Sequence, residues 1–144
     1  VIYADTSLLV SMFLPEPCSD QARSWLKKQQ GVAFVSDLNI LEFNNALNLA
    51  LFYKRITESD HARISRQWMS MIEAESFQIE PIKAQVWDLA KQMSGQYTPK
   101  IGNRSLDVLH VAFASFMRCE SFGTFDSKQR LLAEAVGLKL NPLD

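Results

Sequence analysis

The chain has few of the residues that define whole classes of protein. Its 144 residues include two cysteines, Cys18 and Cys119, and two histidines, so no spacing is available for a zinc cluster. With no cysteine framework, a reducing cytoplasm is the expected home. Charge of one sign is also missing. Fifteen basic and 16 acidic residues give a formal charge of -1, which excludes bulk electrostatic attraction as the basis of nucleic-acid binding. A polyanionic partner would have to be drawn by local basic patches or by metal ions. Long apolar runs are absent too. The opening stretch is too short for a signal peptide, and no later run approaches a membrane span. With no internal repeat, low-complexity tract or linker, residues 1–144 are expected to form a single domain with a substantial core.

The chain opens with Val1-Ile2-Tyr3-Ala4-Asp5-Thr6-Ser7, a short strand that ends in a carboxylate. The trio Asp5-Thr6-Ser7 suits a helix start before the apolar run Leu8 to Leu14. Strand, polar turn and helix make the repeating unit of an open α/β sheet. Ligands of such sheets bind beyond the carboxyl ends of the strands, where Asp5 would stand. Asp5 could equally be a simple cap.

After Pro15-Glu16-Pro17, a helix from Ser19 or Asp20 carries Ala22, Trp25 and Leu26 and stops at Gly31. Val32 to Val35 is the second strand, closed by Ser36, and Asp37 to about Tyr53 is a helix apolar well beyond one stripe. Inside it sits Glu42. Thr57 and Asp60 have capping-box spacing ahead of a helix with Ile64, Trp68, Met71 and Ile72. Phe77 to Ile79 is the third strand, and Pro81 is expected in the first turn of a helix carrying Ile82, Val86, Leu89, Ala90 and Met93. Ser94 to Asn103, with Gly95, Pro99 and Gly102, is expected to be a loop that gathers Tyr97 and Lys100 just ahead of Arg104. Arg104 to about Met117 is helical, with Asp107 in its first turns. A fourth strand within Glu120 to Phe125 delivers Thr124 and Asp126, and Ser127 to Val136 is a helix stopped by Gly137. Leu138 to Leu140 adds an edge strand before Asn141-Pro142.

Four acids stand apart: Asp5 and Asp126 at strand ends, Asp107 near a helix start, and Glu42 among apolar neighbours. Three of them also suit helix N-termini. Glu42 is costly to bury unless paired or bound to a cation, although Asn45 and Asn48 could share a polar stripe with it. Two carboxylates about 4 Å apart repel by roughly 4 kcal/mol at an effective dielectric of 20. Four that converge therefore need a cation, and an all-oxygen set suits Mg²⁺ or Mn²⁺. A metal so held, with open water positions, is what phosphoryl chemistry uses.

The order of Tyr3-Ala4-Asp5-Thr6-Ser7, Leu41-Glu42, Ser105-Leu106-Asp107-Val108-Leu109-His110 and Thr124-Phe125-Asp126 resembles the PIN-domain ribonucleases, most closely the VapC-like toxins of bacterial toxin–antitoxin pairs. The resemblance covers nearly the whole chain. It implies a three-layer α/β/α sandwich with a parallel sheet of order 3-2-1-4-5 and Mg²⁺- or Mn²⁺-dependent endoribonuclease activity. It also implies a homodimer and a cognate antitoxin that blocks the site. Carried onto this chain, Asp5, Glu42, Asp107 and Asp126 become the catalytic, metal-binding acids, with Ser7 and Thr124 as supporting hydroxyls. Arg104 and Lys100 become the candidate RNA contacts, and His110 is expected to be a packed, hydrogen-bonded residue. Where the family often has a basic residue after the fourth acid, this chain has Ser127, with Lys128 one place later. Two rivals remain: a catalytically silent PIN-like module that binds RNA or protein, and an aspartate-based phosphatase or receiver. The latter lacks a second Asp two positions after Asp5 and a suitably placed Lys. The apolar helix Leu38 to Tyr53 and the aromatics Trp25, Phe52 and Trp68 could serve partner contacts or the core.

Overall fold

A computed structural model describes residues 1–29 and 31–141. Pro142, half of the break expected after the last strand, lies outside the described residues. Five strands form one parallel sheet of order β3-β2-β1-β4-β5: β1 (Ile2–Ala4), β2 (Ala33–Ser36), β3 (Phe77–Glu80), β4 (Ser121–Gly123) and β5 (Lys139–Leu140). Strand β1 lies between β2 and β4, where the strand order reverses. Adjacent residues on a strand point to opposite faces, and on β1 this separates two cores. Ala4 belongs to a cluster with Leu8, Trp25, Phe43, Leu47, Ile64 and Trp68. Tyr3 belongs to the other, with Val86, Met93, Leu109, Phe113, Phe122 and Leu132.

The first core is roofed by α1 (Thr6–Phe13), α2 (Ser19–Lys28), α3 (Asp37–Phe52) and α4 (Glu58–Glu73). The second is covered by α5 (Ala84–Ile101), α6 (Ser105–Phe116) and α7 (Ser127–Ala135). The result is the expected α/β/α arrangement. Trp25 and Trp68 are core residues, and Trp68 stacks on Phe43 with ring centroids 4.0 Å apart. Phe52, in contrast, is exposed.

Two sequence expectations fail. The stretch 94–103 is no loop: α5 continues through Pro99 to Ile101 and ends at Gly102, whose φ of +76° closes the helix. Tyr97 and Ile101 pack on the second core and so extend the stripe of Val86, Ala90 and Met93. That burial outweighs the local breakers, and Pro99 in the last turn removes only one helical donor. Tyr97 and Lys100 are therefore helical. Pro81, in turn, precedes α5, which starts at Ala84. The Ile82 amide donates to Asp37 Oδ1 at 3.2 Å, the side chain of the first residue of α3.

The sheet register fixes the edge that carries the acids. Ala4 is opposite Gly123, so the residues that follow, Asp5 and Thr124, leave the sheet side by side. The Asp5 amide also donates to the Gly123 carbonyl at 2.9 Å. A Cβ at Gly123 would lie 2.9 Å from Leu8 Cδ2 and 3.2 Å from Trp25 Cζ2. Gly123→Ala is accordingly expected to cost about 1–3 kcal/mol through overpacking, read as a lower urea midpoint with an unchanged m-value.

Candidate active site

All four acids line one open pocket of about 620 Å³ at the carboxyl edge of the sheet. Asp5 follows β1, Asp126 follows β4, Glu42 projects from the second turn of α3, and Asp107 lies in the first turn of α6. Asp5 is 2% exposed and has divided its carboxylate. Its Oδ2 accepts from the Ser7 amide (3.2 Å), the Ser7 hydroxyl (2.5 Å) and the Thr124 hydroxyl (2.9 Å). Oδ1 accepts no hydrogen bond among the described residues and faces His110 Nε2 at 3.8 Å. The cap and the site residue are thus one side chain used twice. Ser7 and Thr124 act as the hydroxyls that orient it, 3.3 Å from each other.

Asp126 engages one carboxylate oxygen in a helix cap, whereas Asp107 engages both of its own. Asp126 caps α7 by accepting from the Gln129 amide at 2.8 Å, while its own amide donates to Thr124 Oγ1 at 3.0 Å. Asp107 takes the Arg104 amide on Oδ2 (3.2 Å) and the Gln129 side-chain amide on Oδ1 (3.0 Å). Gln129 therefore ties the two acids together. Its own Oε1 is buried without a partner among the described residues. Only its place three residues after Asp126, where α7 exposes amides, could have hinted at this in the sequence.

Glu42 is held by groups from two other elements, α1 and α6. The Thr6 hydroxyl donates to Oε1 at 2.8 Å and His110 Nε2 donates to the same oxygen at 2.6 Å. Behind His110 a buried chain continues, with Nδ1 bonded to the Tyr3 phenol and that phenol donating to Asn39 Oδ1 at 2.9 Å. Asn39 is pinned in turn by the Ser36 amide (2.8 Å) and by donating to the Ala4 carbonyl and Thr6 Oγ1. When the phenol proton lies on Asn39 and His110 is protonated, both imidazole nitrogens act as donors. Tyr3, Thr6 and Asn39 carried no signal beyond strand and cap chemistry. His110 is packed and hydrogen-bonded as expected, and its Nε2 also faces Asp5 and Glu42.

Electrostatics follows from this geometry. Burial alone would push the His110 pKa down, but the hydrogen bond to Glu42 and the charges of Asp5, Glu42 and Asp107 raise it above 6.5. Burial would push the Glu42 carboxyl up, and the hydrogen bond and charge of His110, with the Thr6 hydroxyl, bring it below 4.5. The Tyr3 phenol is raised well above 10.0 by burial and by the Asp5 charge, so it stays protonated.

Among the described residues no three His, Cys, Asp or Glu side chains form a group close enough to grip a metal between them. The donor set does suit a hard cation that retains much of its water. Mg²⁺ is commonly bound through one or two carboxylates, and the free Asp5 Oδ1 and Glu42 Oε2 are all-oxygen donors in the same pocket. Arg104 and Lys100 are exposed at the junction of α5 and α6 and do not line this pocket.

The PIN-domain family model matches residues 2–135. The chain belongs to the PIN-domain family. Solved PIN-like structures align over nearly its full length. FitAcB from Neisseria gonorrhoeae has a TM-score of 0.77 at 17% identity, covering 99% of this chain and 98% of that one. VapC20 of Mycobacterium tuberculosis, described as a toxin that cleaves the sarcin-ricin loop, has a TM-score of 0.72 at 15% identity, with 96% of each chain covered. A toxin–antitoxin complex from Klebsiella pneumoniae gives 0.69 at 16%, covering 100% of this chain and 98% of the other. At these identities the likeness is one of fold. No curated protein matches the PIN chain by sequence.

The coupling of His110 to Glu42 has a consequence for stability. A raised His110 pKa stabilises the fold fully below pH 6.5 and ceases to do so as pH rises through the folded value. A lowered Glu42 pKa stabilises above pH 4.5 and is lost as pH falls through its folded value. The pair should therefore contribute most between pH 4.5 and 6.5. In urea unfolding of chelator-treated protein, the stability advantage of wild type over His110→Gln should shrink as pH is raised from 6.5.

Proposed function

We propose that this PIN domain, acting as one unit over residues 1–144, is a metal-dependent endoribonuclease and the toxin of a type II toxin–antitoxin pair. The observation that carries the reading is Asp5, buried at the carboxyl end of the central strand with one oxygen fixed and the other free in a pocket that Glu42, Asp107 and Asp126 also line. Membership of the PIN family supports a nuclease, and family nucleases generally use divalent metals. The full-length likeness to a VapC toxin and to toxin–antitoxin complexes supports the biological class.

Asp5, Glu42, Asp107 and Asp126 would hold Mg²⁺ or Mn²⁺, Asp5 directly and the others directly or through water. Such a cation supplies Lewis acidity and neutralises charge on the phosphate. The protein's own groups do the positioning. Ser7 and Thr124 hold the Asp5 carboxylate from one side so that its free oxygen faces the pocket. Thr6 and His110 hold Glu42, and Gln129 spaces Asp107 from Asp126. Water attack on the phosphodiester would leave a 5′-phosphate and a 3′-hydroxyl. Arg104 and Lys100 offer exposed cations for flanking phosphates. A homodimer, a cognate antitoxin that blocks the acids, and a cytoplasmic location complete the reading. Among the described residues no helix is long and apolar enough to cross a membrane.

Asp5→Asn should abolish Mn²⁺-dependent RNA cleavage while its circular dichroism and unfolding midpoint stay near wild type. Thr124→Val, which removes one donor to Asp5, should reduce cleavage roughly 10- to 100-fold. Undiminished cleavage by Asp5→Asn would sink the assignment of Asp5, and absence of metal-dependent cleavage by wild type would leave a PIN-like module that binds without cutting.

A further inference from the structure

The acid pocket does not end at the acids. It shares Val10, Glu16, Ala46 and Leu49 with a second groove of about 420 Å³, which runs between α1 and α3 and is also lined by Tyr53 and Arg55. The floor of both is one face of α3. Glu42, Ala46, Leu49 and Tyr53 recur at i, i+4, i+7 and i+11, the spacing of a single helical stripe. Glu42 and Tyr53 are thus about 16 Å apart along the axis, at about 1.5 Å per residue.

The far end of this stripe has the chemistry of a nucleotide platform. Tyr53 is 61% exposed and Leu49 is 45% exposed, although both face a continuous groove. After Tyr53 caps α3, Lys54 takes a left-handed φ of +56° and the Arg55 amide returns to the Ala50 carbonyl at 2.9 Å. That turn brings the Arg55 guanidinium over the Tyr53 ring, 5.6 Å from its centroid. Three arginines, Arg23, Arg55 and Arg63, line the next pocket along. Arg23 and Arg63 are paired with Asp20 at 3.2 Å and Asp60 at 3.4 Å, whereas Arg55 has no ion-pair partner among the described residues. Glu16, between the two grooves, accepts from the Ser11 hydroxyl at 2.8 Å. A carboxylate there disfavours a phosphate and suits a 2′-hydroxyl or an amino edge of a base.

We propose that this face of α3, from Glu42 to Tyr53, is the track of the single-stranded RNA, along which a base near the cleaved bond stacks on Tyr53 and its phosphate pairs with Arg55. The inference rests on the nuclease reading and adds the substrate's path to it. The favoured occupant is RNA because the groove continues from the acids, ends in an aromatic ring and a guanidinium, and has its one uncommitted cation where a phosphate would follow the stacked base. Unpaired RNA is read by stacking on aromatic and Arg planes. A protein partner would need no such pairing.

The test is binding of a degenerate pool of fluorescein-labelled RNA strands of about ten nucleotides, followed by anisotropy with the full chain in chelator so that the strands stay whole. Tyr53→Ala should weaken binding roughly 5- to 100-fold, Tyr53→Phe should hold it near wild type, and Arg55→Gln should weaken it and flatten its salt dependence. Because Tyr53 and Arg55 are exposed, unfolding midpoints should not move. If wild type binds and, with Mn²⁺, cuts RNA while Tyr53→Ala and Arg55→Gln bind equally well, the track is overturned, the nuclease reading stands, and the groove is left to a protein. If wild type neither binds nor cuts, both fall.

Discussion

Asp5 gives one carboxylate oxygen to the fold and leaves the other to the pocket, and the rest of the site depends on that division. The division is possible because β1 pairs in parallel with β4 in a register that puts Ala4 opposite Gly123, so that Thr124 emerges beside Asp5. Three donors from Ser7 and Thr124 then fall on Oδ2. A carboxylate so fixed loses little further freedom when it meets a ligand, which is the physical content of preorganisation. The same pairing sends Asp126 back toward Asp107, with Gln129 between them.

The second constraint is charge. Acids that line one pocket repel one another, and the chain places among them a histidine whose protonated form their charges favour. His110 reaches Glu42 directly and Asp5 at longer range, and its other nitrogen is anchored through Tyr3 and Asn39 into the sheet. Tyr3 and Ala4, neighbours on β1, point into opposite cores, and the Asn39 side chain spans them by touching the Tyr3 phenol and the Ala4 carbonyl. The residues that hold the acids are thus the residues that join the two halves of the molecule. Polar networks of this kind rigidify only when every member is satisfied, and here each link has its partner.

Much of this was legible in the sequence, because strands that run into cap residues carry both a fold signal and a site signal. Asp5, Asp126 and Asp107 are caps and pocket acids together, and Glu42 stood out as a charge in an apolar helix. The three-layer architecture and the strand order were expected only through the family resemblance. Stretch 94–103 misled because Gly95, Pro99 and Gly102 are local breakers, while the stripe from Val86 to Ile101 that overrides them is satisfied only by a distant core. Thr6, Asn39 and Gln129 could not be singled out, since their roles exist only once α1, α3, α6 and α7 meet. Trp25 and Trp68, ambiguous in the sequence, are settled by burial.

The most direct measurement of the central claim is calorimetric titration of the chain with Mn²⁺, wild type beside Asp5→Asn. A pocket organised around the free Asp5 oxygen gives saturable binding in the wild type and loses it when that residue becomes an amide. Absence of binding to wild type at millimolar Mn²⁺, or equal binding by both proteins, would contradict it.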